Sequence, residues 1–146
     1  AERAEAGVVF IGRVRTPWSR GDCPRNLRQA RERGGGATLE IDEAWRPGLS
    51  GLQEGGWIWA LYWMAGARRD LIVQRPRHVQ DGRGVFSLRS PARPNPVAMG
   101  AMRLLRLDAA AGRLEVDAAD CFDGTPLLDV KPWLPTVDAP EGVPPA

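Results

Sequence analysis

The sequence has few of the residue types on which metal sites and hydrolase triads depend. Among 146 residues it has one histidine, His78, and two cysteines, Cys23 and Cys121. A structural zinc site takes about four cysteine or histidine ligands, and a serine hydrolase triad needs a histidine beside its serine. We therefore expect no metal ion and no such triad, with His78 at the surface. We expect both cysteines to be free thiols, as is usual in a reducing cytosol.

Long apolar runs are also missing. The longest candidate, residues 57–67, falls well short of the roughly 20 residues that span a bilayer, and it is rich in tryptophan. Residues 1–6 carry two glutamates and an arginine, whereas a signal peptide builds up an apolar stretch. We therefore expect a cytoplasmic protein without a membrane partner.

Lysine is the scarcest charged residue. Nineteen of the twenty basic residues are arginine, and the exception is Lys131. The net charge of +2 does not indicate a bulk nucleic-acid binder. Arginine suits bidentate contacts with carboxylates and phosphates, and a lone lysine in such a background indicates a position that requires a compact ammonium group.

What the sequence does contain is a series of short β patterns, separated by 17 glycines and 13 prolines. This spacing, without long helices in between, predicts an all-β fold: a single antiparallel β-barrel, closed or nearly closed, with a short helix and Pro-rich loops. We place the barrel domain in residues 1–137 and a Pro-rich tail in residues 138–146. The predicted strands are 8–15, 37–42, 56–64, 70–74, 84–89, 97–108 and 113–117, the last two joined by a hairpin turn.

Two local patterns refine this prediction. Residues 25–33 form a candidate helix, with Pro24 placed to start it and a glycine triplet placed to end it. Three tryptophans and Leu61 alternate along residues 57–63, so they share one strand face, with Tyr62 on the other. A stripe of this kind is typical of a core or a subunit interface.

The stretch RSPARPNP, residues 89–96, has three prolines in six residues. Proline lacks a donor and fixes φ, so this segment is a stiff loop rather than a strand. It carries potential hydrogen-bond donors on Arg89, Ser90, Arg93 and Asn95. Such a loop is either a preorganised binding wall or a rigid surface turn with solvated arginines, and the residues alone leave both open.

Asp129 and Lys131 lie two residues apart, so in an extended segment they share one face. A carboxylate beside an ammonium group can orient a nucleophile or accept a proton. The alternative is a surface ion pair of little consequence.

Three segments together resemble one known family. The first is IGRVRTP, residues 11–17, followed by CPRN, residues 23–26. The second is GVFSLRSPARPNPVAMG, residues 84–100, which is similar to the family's GVFATRSPHRPNPIGLS. The third is DGTPLLDVKPWLP, residues 123–135, which is similar to DGTPVLDIKPYLP. In this order they resemble the TrmO/TsaA-like family of tRNA N6-adenosine methyltransferases.

The resemblance implies a β-barrel methyltransferase that works as a homodimer, with S-adenosylmethionine near the subunit boundary and tRNA as substrate. The methyl group would go to N6 of threonylcarbamoyladenosine beside the anticodon. By motif match, the residues assigned to the cofactor are Pro24, Arg25, Asn26, Met64, Ala65, Arg89, Met99, Asp117, Ala118, Ala119 and Asp120. Those assigned to the substrate are Arg93, Asn95, Asp123, Thr125 and Trp133. Asp129 and Lys131 are assigned to catalysis.

The chain departs from the family pattern at several positions. Ala65 and Ala92 stand where members have histidine, Gly100 stands for serine, and Trp133 stands for tyrosine. Two alternatives therefore stay open: a methyltransferase with a small-molecule or other substrate, and a barrel that binds S-adenosylmethionine or RNA without catalysis. For the tRNA hypothesis we expect an RNA-binding edge that groups Arg68, Arg69, Arg75 and Arg77.

Overall fold

The structure is a computed structural model that describes residues 4–75 and 82–142. Its strands are β1 (Gly12–Arg15), β2 (Ala37–Ile41), β3 (Trp57–Trp63), β4 (Val73–Gln74), β5 (Arg83–Gly84), β6 (Val97–Asp108), β7 (Arg113–Val116) and β8 (Thr125–Pro132). Six of them close into a barrel in the order β1-β2-β7-β6-β3-β8, and every pairing is antiparallel. The predicted antiparallel β-barrel is confirmed.

The barrel core follows from the alternation of side chains along the strands, which is clearest on β3. On β3, the side chains of Ile58, Ala60 and Tyr62 are buried, whereas those between them are half-buried or exposed. Alternation of this kind sends successive side chains to opposite faces of the sheet. The core cluster comprises Val14, Leu39, Ile41, Leu49, Ile58, Ala60, Tyr62, Met102, Leu104, Leu114, Val116, Ala119, Cys121 and Leu127.

Helix α1 (Leu27–Arg33) covers the barrel beside the start of β6. The Asn26 side chain caps it by accepting a hydrogen bond from the Gln29 N–H at 2.9 Å. Gly34 ends it with φ +73°, a conformation that favours glycine. The predicted helix is confirmed, with its first turn beginning two residues later than expected.

The other helical segments are short. Two 3₁₀ helices span Glu43–Leu49 and Val85–Ser87, and α2 spans Pro135–Asp138. Within the described ranges, no helix has the length and apolar character to cross a membrane. The domain boundary at residue 137 stays a prediction, and residues 143–146 of the tail, like His78 and Arg77, lie outside the described residues.

Two predicted core strands are wrong. Residues 70–74 contribute only the two-residue strand β4, which pairs with β5 in a ribbon separate from the barrel. Ile72 and Val73 are well exposed there, because an apolar run predicts β structure but not the partner that would bury it. Of residues 84–89, only Gly84 is in a strand, at the end of β5, and Val85–Ser87 form the second 3₁₀ helix.

One barrel strand was not predicted as such. β8 lies between β1 and β3 and closes the barrel. A bulge interrupts its pairing with β3, because Leu61 faces Asp129 while Tyr62 faces Leu127. Prolines at its second and last positions and this break in alternation obscure the pattern on which a strand prediction depends.

Candidate functional site

A cavity of about 610 Å³ opens where β3 ends and β6 begins. Helix α1 and the residues before it form one side, and the Pro-rich loop forms the other. The lining residues are Arg25, Asn26, Leu27, Arg28, Tyr62, Met64, Arg89, Ser90, Pro91, Arg93, Val97, Ala98, Met99 and Asp120. The volume is in the range typical of small-molecule sites.

The cavity brings together residues from all parts of the chain that the motif match assigned to a cofactor. Those that line it are Arg25, Asn26, Met64, Arg89, Met99 and Asp120. Segments that are distant in sequence therefore converge on one site.

Five other residues assigned to the cofactor do not line the cavity: Pro24, Ala65, Asp117, Ala118 and Ala119. Asp117 instead joins two elements, because its carboxylate accepts hydrogen bonds from Arg31 Nε and from the Arg103 N–H, both at 2.9 Å. Ala118 and Ala119 are buried. These three residues fix the chain that leads to Asp120.

The arginines of the cavity fall into two groups. The guanidinium groups of Arg25, Arg28 and Arg89 make no hydrogen bond or ion pair with any described residue. They are therefore available to an anionic ligand group. Arg93, by contrast, is engaged within the protein.

Arg93 organises the Pro-rich loop. Its Nη1 donates to the carbonyl oxygens of Leu88 and Ser90, and its Nη2 donates to that of Val85, each at 2.9 Å. Three of its five donors are thus satisfied by backbone carbonyls of the loop and of the 3₁₀ helix before it. The arrangement indicates a structural role for the residue that the sequence assigned to substrate binding.

The far end of the same loop is held from outside. Arg69 Nε donates to the Pro94 carbonyl at 2.7 Å and Nη2 to Asn95 Oδ1 at 3.3 Å, while its guanidinium carbon lies 5.3 Å from the centre of the Trp63 ring. The Gln74 amide donates to the Ala92 carbonyl at 2.8 Å. We call residues 88–96, with these side-chain contacts, the Pro-rich wall.

The expected arginine edge is only partly available for RNA. Arg69 is bound to the Pro-rich wall, and Arg68 is paired with Asp70 at 2.8 Å on the surface. Arg75 lies next to the two-stranded ribbon, close to Gly82. The grouping of the full set stays a prediction because one member lies outside the described residues.

Within one copy of the chain, Asp129 and Lys131 do not line this cavity. Lys131 Nζ is 3.1 Å from Asp129 Oδ2, which confirms that the two side chains share a face. In the ladder between β8 and β3, Asp129 lies opposite Leu61 and Lys131 lies opposite Trp59, on the outer side of the barrel. The bulge at Leu128 directs Asp129 to this face.

The remaining residues assigned to the substrate also lie outside the cavity lining. Asp123 Oδ1 accepts from the Thr16 N–H at 3.1 Å, and the Thr125 hydroxyl donates to the Phe122 carbonyl at 2.6 Å, so both stabilise the turn before β8. The Trp133 N–H donates to the Trp57 carbonyl at 3.0 Å and ties the end of β8 to β3.

The outer face of β3 is apolar and continuous with the cavity mouth. It carries the tryptophan stripe, and Trp57 on it is 39 % exposed. On the adjacent strand, Val97 and Met99 are 40 % and 44 % exposed, and both also line the cavity. The Asp129–Lys131 pair borders this same face.

Sequence reasoning missed Tyr62 as a site residue. The strand period placed it only on the face opposite the tryptophan stripe, and the structure shows that this is the buried face, with the Tyr62 ring inside the barrel. Its hydroxyl, however, reaches the cavity and donates a hydrogen bond to Asp120 Oδ1. The signal was that a buried phenol needs a polar partner, but the sequence could not indicate which one.

Both cysteines are free, as expected. Burial, together with the negative charge of Asp120, raises the pKa of the half-buried Cys23 thiol to about 11. Burial likewise raises the pKa of Cys121 to about 12. Both thiols are therefore protonated at neutral pH and poorly nucleophilic. No group of three potential metal ligands occurs in residues 4–75 and 82–142.

The chain is similar to proteins of one family. The model described as tRNA-methyltransferase O N-terminal domain matches residues 13–139. VirR of Rhizobium radiobacter, a probable S-adenosyl-L-methionine-binding protein, is 40 % identical over 132 residues, 90 % of this chain and 73 % of that protein. A tRNA (adenine(37)-N6)-methyltransferase of Eikenella corrodens is 41 % identical over 92 residues, 60 % of this chain and 52 % of that protein.

Solved structures agree with these relatives. A crystal structure of TrmO matches with a TM-score of 0.75 and 30 % sequence identity, covering 97 % of this chain. The match spans 64 % of the solved chain. The resemblance indicated by the three motifs is thus confirmed, and the chain belongs to the tRNA-methyltransferase O N-terminal domain family.

Proposed function

We propose that this protein binds S-adenosylmethionine in the 610 Å³ cavity and methylates an adenosine of tRNA. The observation that carries the proposal is a set of three guanidinium groups that have no partner among the described residues, gathered with one carboxylate in one cavity. The chain's similarity to a probable S-adenosyl-L-methionine-binding protein and to a tRNA (adenine(37)-N6)-methyltransferase supports it.

The cavity residues suit the cofactor. S-adenosylmethionine has a carboxylate, an ammonium group, a sulfonium centre and an adenine ring. Arg25, Arg28 and Arg89 suit an anionic group, whereas Asp120 suits a cationic one. Leu27 and Met99 add apolar surface for the nucleoside.

When bound, the cofactor supplies a methyl group that is already activated by the sulfonium centre. The protein then has to align the attacking nitrogen and accept the proton that the nitrogen loses. We assign these tasks to Asp129 and Lys131: the carboxylate accepts the proton, and the ammonium group orients the carboxylate across their 3.1 Å ion pair.

The assignment requires a second copy of the chain. In one protomer the Asp129–Lys131 pair is outside the cavity lining, but it borders the apolar outer face that reaches the cavity mouth at Met99. We infer that two copies pack through this face as a homodimer, so that the pair of one copy meets the cavity of the other. Burial of the exposed tryptophan and methionine side chains would drive the association.

Complementation between two inactive variants tests this arrangement. Arg89→Ala removes a cavity donor, and Lys131→Ala removes the ammonium group, so we expect each homodimer to lose methyl transfer to hypomodified tRNA. Co-expressed and purified together, they should recover roughly a quarter of wild-type activity, because half of the dimers are mixed and each has one intact site. Mass spectrometry of tRNA nucleosides measures the product.

Three results bear on the roles separately. Lys131→Ala should retain cofactor affinity in calorimetry, and an equal loss of affinity and methyl transfer would contradict its catalytic role. Arg20→Ala, an exposed change outside the cavity lining, is the matched control and should leave both unchanged. Failure of the mixture to recover activity would overturn the dimeric site.

The finer substrate assignment is N6 of threonylcarbamoyladenosine beside the anticodon, in the cytoplasm. We expect methyl incorporation into tRNA that carries the threonylcarbamoyl group and none into tRNA that lacks it. Methylation of both would reduce the assignment to adenosine in general. Cofactor binding without methylation of either tRNA would favour a small-molecule substrate or a non-catalytic barrel.

A further inference from the structure

One hydrogen bond links the core of the barrel to the wall of the cavity. The Tyr62 hydroxyl, on the buried face of β3, donates to Oδ1 of Asp120, in the connection between β7 and β8. The two residues are 58 positions apart in the sequence, and both line the cavity. The contact therefore exists only because the barrel has closed.

The direction of this hydrogen bond is fixed. Burial, followed by the negative charge of Asp120, raises the pKa of Tyr62 above its usual value. The phenol therefore keeps its proton and donates, and the carboxylate accepts. Among the described residues, no other side chain donates to the Asp120 carboxylate, so Oδ2 remains available to a ligand in the cavity.

Gly100 of β6 lies beside the phenol. A Cβ at this position would be in ordinary contact with the Tyr62 hydroxyl, at 3.5 Å, but would lie 2.6 Å from Leu27 Cδ1. A larger residue would therefore crowd the first turn of helix α1 next to the Tyr62 hydroxyl.

The charges of the cavity indicate what Oδ2 receives. Asp120 is the one carboxylate among the described lining residues, and Arg25, Arg28 and Arg89 are present without protein partners. An amino-acid group, which has a carboxylate and an ammonium on the same carbon, matches both signs of charge.

We propose that Tyr62 is a positioning residue that fixes Asp120 so that its Oδ2 accepts a hydrogen bond from the α-ammonium group of the cofactor. The inference rests on the proposed function and deepens it, because it assigns the two ends of the cofactor to opposite charges in the cavity. It also explains why a tyrosine is placed in an otherwise apolar core.

Calorimetry on Tyr62→Phe with three probes tests this inference. S-adenosylmethionine and S-adenosylhomocysteine both have the α-ammonium group, whereas 5′-methylthioadenosine has none. We expect Kd to rise about 10-fold for the first two, the size of one hydrogen bond to a charged group, and to be unchanged for the third. Equal weakening of all three, weakening of S-adenosylmethionine alone, or no change would each overturn the proposal.

A double-mutant cycle separates positioning from a structural effect. If Tyr62 acts through Asp120, the variant with both Tyr62→Phe and Asp120→Asn should bind the probes as Asp120→Asn alone does. Additive losses would contradict this role. Asp120→Asn by itself should show the same selectivity among the three probes, which keeps the test decisive if Tyr62→Phe does not fold.

These outcomes are distinguishable from failure of the proposed function. If the wild-type protein binds neither S-adenosylmethionine nor S-adenosylhomocysteine, the proposed function fails. If it binds them and the selective loss is missing in both variants, only the role of Tyr62 and Asp120 fails.

Discussion

The barrel and the Pro-rich wall are stabilised in different ways. The barrel is held by backbone ladders between six strands and by a core of alternating apolar residues. The Pro-rich wall has few backbone donors because of its prolines, and its carbonyls accept from Arg69, Gln74 and Arg93 instead. The comparison shows that the barrel is stabilised by an alternating pattern of many apolar residues, whereas the Pro-rich wall of the cavity is held by a few individual side chains.

The largest effect is expected at Gly12, where an added Cβ would meet the backbone of the neighbouring strand. A Cβ on Gly12 of β1 would lie 1.7 Å from the Glu40 carbonyl oxygen of β2. Backbone cannot move aside as a side chain can, so Gly12→Ala should lower the free energy of unfolding by about 4 kcal/mol. Urea denaturation followed by tryptophan fluorescence measures it.

Gly7→Ala is the matched control, because nothing lies within 4 Å of the added Cβ, and it should leave stability unchanged. Wild-type stability in Gly12→Ala would show that the scaffold tolerates changes in its strand spacing.

A smaller effect, of a different kind, is expected in the Pro-rich wall. Arg93→Lys keeps the charge. A single ammonium group, however, cannot donate to all three backbone carbonyls that the guanidinium group of Arg93 contacts. We expect about a 10-fold rise in Kd for S-adenosylmethionine in calorimetry, with only about 1 kcal/mol lost from the free energy of unfolding.

Arg68→Lys, at the exposed ion pair with Asp70, is the control and should change neither quantity. If Arg93→Lys lowered stability as much as a core substitution while leaving affinity intact, the distinction between scaffold and wall would be wrong.

The smallest effect is expected where the two regions meet. Gly100→Ala places a Cβ 2.6 Å from Leu27 Cδ1, the end of a flexible side chain that can shift. We expect a loss of about 1 kcal/mol in stability and about a 3-fold rise in Kd for S-adenosylmethionine, since Leu27 lines the cavity.

Gly84→Ala, with open space around the added Cβ, should be neutral in the same assays. A Gly100→Ala variant that binds the cofactor as the wild type does would indicate that helix α1 can move away from the barrel without cost to the site.

The elements that could be predicted are those with local signals. β6 was predicted with its observed bounds because its flanking turns and long apolar pattern are strong, and α1 because of its proline and glycine boundaries. β8 could not be predicted as a barrel strand, since its prolines and the bulge at Leu128 break the period of two.

The residues of the candidate site also divide into those that the sequence could assign and those that it could not. Arg25, Arg89 and Asp120 could be assigned by motif, and the structure places them in one cavity. The motif could not show that Arg93 is used by the backbone of its own loop. Nor could it show that Tyr62 contacts Asp120, because the strand period places Tyr62 opposite the tryptophans but does not indicate what its hydroxyl reaches.

By itself, the sequence determined the strand periods, the glycine end of helix α1 and the stiffness of the Pro-rich wall, because each depends on residues that are neighbours in the chain. Only the tertiary structure decided which arginines are free to bind a ligand and which carboxylate faces them. That choice depends on contacts such as Tyr62 with Asp120, between residues far apart in sequence, which form only when the last strand closes the barrel.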